Sequence, residues 1–151
     1  AGLRADTFDH VMTNPPYLPA AAMAAADAGR DRANREGEAG LADWIDAGLR
    51  RVRVGGWLVI VHRADRLGEI LAGLDGRAGA VEVVPVAARP GAAAGRVLVR
   101  GRKGKGGPLR LWDALTLHED DPSRPGASVY SVRAQSILRG AGEILPDGER
   151  G

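Results

Sequence analysis

The hydrophobic positions of this chain alternate between short continuous runs and stretches with a helical period. Phe8 to Thr13 reads as a short buried strand that stops at Asn14-Pro15-Pro16-Tyr17. Neither proline has a backbone N–H to donate, so strand pairing cannot continue, and each residue before a proline is held extended. Pro19 to Gly40 is Ala-rich, then charged, without a sustained apolar stripe, and predicts a mobile loop with a turn or two of helix. Leu41, Ile45, Leu49 and Val52 recur at helical spacing, with Asp43, Asp46, Arg50 and Arg53 off that face. Gly55-Gly56 is expected to end this helix as a glycine C-cap.

Trp57 to His62 is continuously apolar, as in a strand whose two faces are both covered. Leu67, Ile70, Leu71 and Leu74 predict a second amphipathic helix ending near Gly76. Ala80 to Ala87 predicts a strand, and Pro85 within it calls for an edge or a bulge. Gly95 to Arg102 is a further strand, Leu109 to His118 adds one or two short ones, and Ser131 to Arg139 predicts a short helix. The order strand, helix, strand, helix, strand, strand predicts an α/β domain with a mainly parallel sheet. Binding crevices of such sheets lie at the carboxyl ends of strands, where the Asn14 corner falls.

Composition narrows the chemistry. At 151 residues and 44% hydrophobic, the chain suits one globular domain. It has no cysteine, which excludes disulfides, thiolate metal sites and a cysteine nucleophile. His10, His62 and His118 are too widely spaced for a local metal motif, and no metal is expected. No apolar run approaches a membrane span, and no signal peptide is visible, so the expectation is a soluble, cytoplasmic protein. Net charge is +2, with a pI near 9.5. The charge is unevenly placed: no acidic residue lies between Glu82 and Asp113, where Arg89, Arg96, Arg100, Arg102, Lys103, Lys105 and Arg110 stand. Such a segment attracts phosphate backbones, and Arg102, Lys103 and Lys105 are the candidate RNA contacts.

The stretch Phe8-Asp9, Val11 and Asn14-Pro15-Pro16-Tyr17 resembles a motif of class I S-adenosylmethionine-dependent methyltransferases that modify planar amino groups. These act on adenine N6 of DNA and RNA or on glutamine N5 of release factors. The segments ADRLGEILAGL, RPGAAAGRVLVRGRKG, PLRLWDALTLHE and YSVRAQSILRG are similar to bacterial tRNA adenine-N6 methyltransferases acting on valine tRNA. The Glu-Pro pair usual after the motif in release-factor enzymes is absent here. The resemblance implies residues 1–151 as the C-terminal part of a Rossmann-like methyltransferase sheet, mainly parallel with a terminal antiparallel strand pair.

It also implies the chemistry. An exocyclic adenine amine is a poor nucleophile, because its lone pair is delocalised into the ring. Asn14 and Pro15 would each accept one of its N–H groups and aim the lone pair at the methyl of S-adenosylmethionine, so that positioning supplies the catalysis. Tyr17 would stack on the extruded base, a contact worth roughly 1–3 kcal/mol. Catalytic roles thus fall to Asn14, Pro15 and Tyr17, with Asn14 also touching the cofactor, and tRNA is the expected partner. The family's Gly-rich cofactor turn and ribose-binding acid have no counterpart before Asn14, so the N-terminal half of the domain is expected to be missing. The glycines of Gly101 to Gly107 open no helix and read as a flexible basic turn. The alternatives are the same chemistry on rRNA, DNA or a protein glutamine, and a noncatalytic basic RNA-binding module. His62, at the end of a strand, and Trp44, Trp57 and Trp112 read as packing residues, Asp9 as a strand-start residue, and Glu36 as part of a solvated loop.

Overall fold

A computed structural model describes residues 7–16 and 40–145. Strand β1 (Phe8–Thr13) has the bounds its apolar run predicts, but it is not the buried strand expected. Only Thr13 is buried, and Phe8 and Met12 are exposed, because β1 is the edge of the sheet among the described residues. Helix α1 (Leu41–Arg51) buries Leu41, Ile45 and Leu49, the face given by the helical spacing. Asp43 accepts from the Gly40 N–H at 2.9 Å, which satisfies a donor just before the first turn. Fully burying a side chain such as Ile45 contributes about 1.5–3 kcal/mol.

The helix ends sooner than its glycines suggest. Val52 already has extended backbone angles and opens β2 (Val52–Arg63). Gly55-Gly56 lies inside that strand rather than capping α1. Gly55 takes a left-handed φ of 81°, and the register between β1 and β2 slips at this level, between Phe8 and His10. A Cβ at Gly56 would come within 2.6 Å of the Asp9 carbonyl oxygen, so the pair serves the close approach of β1.

A 3-10 turn (Ala64–Arg66) leads into α2 (Leu67–Leu74), followed by β3 (Ala78–Ala87) and β4 (Arg96–Lys103). Short strands β5 (Arg110–Leu111) and β6 (Leu115–Thr116) follow, then the β7 (His118–Asp120) and β8 (Ser128–Tyr130) pair. Helix α3 (Val132–Leu138) is capped by the Ser131 hydroxyl, which accepts from the Ala134 N–H at 3.1 Å.

The main sheet runs β1-β2-β4-β3-β5, with β6 also beside β3. Strand β1 is parallel to β2, and β5 and β6 are parallel to β3. Strand β4 lies between β2 and β3, antiparallel to both. The expected antiparallel pairing is therefore that of β3 with β4, and β4 extends it to β2. Pro85 pairs with Val97 of β4, while its other side faces the gap between β5 and β6, where the ladder is interrupted. Neighbouring carbonyls of Val83 and Ala87 bond across that side to Trp112 and Leu117, so a missing N–H at Pro85 breaks no ladder bond.

Two cores sandwich the sheet. On one face α1 and α2 pack Ile45, Leu49, Ile70 and Leu74 onto Leu58, Ile60, Val83, Val97 and Val99. On the other, Ile137 of α3 and the Ile144-Leu145 segment pack onto Val59, Val61, Val84 and Leu98.

Candidate active site at the carboxyl end of the first strand

The parallel pairing of Thr13 with Ile60 brings the end of β1 beside the last turnings of β2, where the Asn14 corner begins. The corner is pinned by its first proline. Pro15 is among the most completely buried side chains of the protein, whereas Asn14 and Pro16 on either side of it are exposed. A buried ring anchors the backbone at this point and leaves the neighbouring Asn14 amide exposed, without a regular element to support it. The Thr13 hydroxyl, one residue earlier, is buried and has no hydrogen-bond partner among the described residues. An orphaned buried hydroxyl carries a desolvation cost that a polar ligand group at this strand end would relieve. Tyr17, the fourth residue of the corner, lies outside the described residues, as do the 19–39 loop and Glu36.

His62 closes β2 and is 4% exposed. Burial, and then the positive charge of Arg66, hold its imidazole below its ordinary pKa, favouring the neutral ring. Asp9 makes an exposed ion pair with Arg53 across the β1–β2 edge.

Of the basic segment, Arg100, Arg102 and Lys103 are turned onto the protein's own groups, while Arg89, Arg96, Lys105 and Arg110 are exposed. Arg100 donates twice to Glu82 Oε2, at 3.2 and 3.0 Å, and stacks 4.5 Å above the Trp57 ring. Arg102 donates to the Gly55 carbonyl at 2.9 Å and lies 5.5 Å from the same ring. Lys103 donates to the carbonyls of Leu49 and Val52. Arg89 pairs with Asp120 at 3.3 Å. Of the three candidate RNA contacts, Lys105 is exposed, while Arg102 and Lys103 are half-buried and bonded to the protein's own backbone. The structure thus joins Asn14 and Pro15 in one corner and places Arg102, Lys103 and Lys105 elsewhere, toward the opposite end of β2, whereas Arg96 pairs with Arg63 at the corner's own end.

Sequence reasoning missed the role of Glu82. Its signal was present: a lone acid inside the apolar run AVEVVPVA, followed by a segment rich in arginine. Trp112 also donates to Glu82, at 3.1 Å, so this tryptophan packs in the second core and satisfies a buried carboxylate. Among the described residues no group of three or more His, Cys, Asp or Glu side chains could hold a metal ion. No helix there is long and apolar enough to cross a membrane.

No protein-family model matches the chain, and neither does any curated protein. Among solved structures, it is similar to one described as a predicted O-methyltransferase, protein Atu636 from Agrobacterium tumefaciens. Identity is 27% and the TM-score 0.69, over 93% of this chain and 55% of that one. The chain therefore spans about half the length of this neighbour, and its mixed α/β sheet is of the methyltransferase type.

Proposed function

We propose that this chain carries the amine-binding part of a cytoplasmic S-adenosylmethionine-dependent enzyme that methylates the N6 amine of an adenine in tRNA. The observation that carries the reading is the Asn14 corner: an exposed amide beside a buried, anchoring proline at the carboxyl end of β1. The methyltransferase-type sheet and the motif in Asn14-Pro15-Pro16-Tyr17 support it.

The Asn14 side-chain oxygen and the Pro15 carbonyl are acceptors, suited to the two N–H groups of an exocyclic amine. Held by both, the nitrogen pyramidalises and its lone pair points away from the ring plane. The proton leaves after methyl transfer, so no strong base is required of the site. Tyr17 stacks on the extruded base.

S-adenosylmethionine supplies an electrophilic methyl. The described residues fit its reacting end, with Asn14 exposed and the unpartnered Thr13 hydroxyl adjacent. They offer no Gly-rich turn opening a helix for the adenosine end. That turn and a ribose-binding acid belong, in this proposal, to strands on the outer edge of β1, which has no neighbour there among the described residues.

The test is transfer of a tritiated methyl by the intact enzyme to bulk tRNA, rRNA, DNA and release factor in parallel. Label in tRNA, recovered as N6-methyladenosine, is expected. Label in another substrate alone would keep the chemistry and move the target. Calorimetry showing RNA binding but no cofactor binding by the intact protein would identify a noncatalytic RNA-binding module instead.

A further inference from the structure

Away from the Asn14 corner, a pocket of about 100 Å³ opens beside the amino-terminal halves of β2 and β3. Its walls include Trp57, Ala80, Glu82, Arg102, Gly107 and Arg110. The backbone builds it deliberately. Strand β3 bulges against β4 between Gly79 and Glu82, and Ala80 within the bulge takes a left-handed φ of 48°, a strained choice for a residue with a side chain. Gly79 has no room for a side chain: a Cβ there would lie 2.2 Å from the Lys105 carbonyl oxygen. The loop after β4 is thus pressed onto the bulge and closes the pocket. Bulges re-aim side chains, and this one sets Glu82 opposite Arg100.

Glu82 is 3% exposed, yet only one of its oxygens is used. Oε2 accepts from Arg100 twice and from Trp112. Oε1 accepts no hydrogen bond from the described residues and is left to the pocket. One carboxylate oxygen can be matched by a ligand N–H. The mouth is positive through Arg102 and Arg110, the latter exposed and outside every described ion pair. Trp57, whose ring also carries the Arg100 and Arg102 guanidinium groups at 4.5 and 5.5 Å, adds an aromatic wall. An acceptor at depth, an aromatic wall and cations at the rim suit a planar amine-bearing ring that carries an anionic group.

We propose that this pocket binds a cytidine 5′-phosphate unit, with the base amino group on Glu82 Oε1, the ring against Trp57, and the phosphate at Arg102 and Arg110. The single free acceptor and the small volume favour one ring with an exocyclic amine. Cytosine presents an N4 donor at the position where uracil presents an acceptor, and a carboxylate accepts from the former and repels the latter. The site is independent of methyl transfer.

The experiment is a titration of the protein with cytidine and uridine 5′-monophosphates, read from the Trp57 indole N–H resonance. Cytidine monophosphate is expected to bind about tenfold or more tightly than uridine monophosphate, and inorganic phosphate to compete with it weakly. Arg110→Gln should weaken cytidine monophosphate about tenfold, and Glu82→Gln should abolish the preference between the two. Equal binding of the two nucleotides, or an affinity untouched by Arg110→Gln, would overturn the proposal. So would inorganic phosphate binding as tightly as the nucleotide. Because Glu82→Gln disturbs a buried ion pair and could unfold the protein, the nucleotide comparison and the exposed Arg110 variant decide the matter without it.

Discussion

The Lys103 ammonium group lies 2.6 Å from the Leu49 carbonyl oxygen, at the last turn of α1, and 2.9 Å from that of Val52. A cation on the negative end of a helix, bonded to carbonyls that have no intrahelical donor, closes that helix as a glycine would. Lys103→Gln is therefore expected to lower stability by about 1–2 kcal/mol, visible as a fall in the thermal midpoint. It should leave the salt dependence of tRNA binding unchanged. Lys105→Gln should do the converse: unaltered stability, and a salt slope shallower by about one. A shallower slope for Lys103→Gln at full stability would return that residue to the RNA surface.

The relation between Glu82 and Arg100 predicts a strong asymmetry between single and double variants. Their side chains are 4% and 15% exposed, so neither charge is well solvated without the other. Arg100→Met should destabilise by about 3 kcal/mol or more, since it strands a buried carboxylate. The further change Glu82→Leu should restore most of that loss. Urea unfolding of the four proteins in the cycle checks it, and additive losses would show that the two residues do not act as a pair.

Much of the fold is legible in the chain. The bounds of β1, the buried stripes of α1 and α2 and the span of α3 follow from period and turn residues, because those signals are local. Two failures have one physical source. Gly55-Gly56 looks like a helix stop in sequence, but the stop is made by Lys103, some fifty residues away (the bond spans 54 positions). Likewise the Arg100 charge looks available until Glu82 and Trp57 are placed beside it by strand register. Local patterns cannot report partners that a bulge aligns. At the candidate site, the proline pair announces the corner, yet only the structure shows that Pro15 is its anchor.

Stability should fall in mildly acidic solution because of His62. Its folded pKa lies below 6.5, chiefly through burial, then through Arg66, with Arg63 adding and Asp65 and Glu69 opposing. The unfolded chain thus takes up the proton first as pH falls through 6.5, which favours unfolding until the folded pKa is passed. The carboxyl groups of Asp46, Asp65, Glu69 and Asp121 are held low, mostly by arginine or serine partners, so their contributions are present above their ordinary pKa of 3.8 to 4.5 and lost only below it. The expected curve declines as pH falls below 6.5, then declines again where the carboxyl groups take up protons. His62→Gln should flatten the upper limb alone, as followed by denaturant midpoints across pH.

Under the proposed function, Asn14→Ala in the intact protein should remove most methyl transfer, with a loss of about a hundredfold or more, while tRNA affinity changes little. Tyr17→Ala should cost far more activity than Tyr17→Phe, because the ring face rather than the hydroxyl stacks on the base. Single-turnover methylation and filter binding separate the two effects. Near-normal turnover in Asn14→Ala would move the reacting amine elsewhere.

The insertion of β4 between β2 and β3 bears on the order in which the chain can assemble. Strand β2 leaves the ribosome well before its central neighbour exists, and β3, although made next, cannot dock beside it. The inner edge of β2 stays open until Arg96–Lys103 has been synthesised, and it is filled by the strand that also pairs with β3. Sheet closure is thus a late, long-range event with the loop-closure cost and slow rate that such pairings carry. Until it happens, Leu58 and Ile60 face an unfinished core, and that interval is when a growing chain most needs protection from pairing with its neighbours.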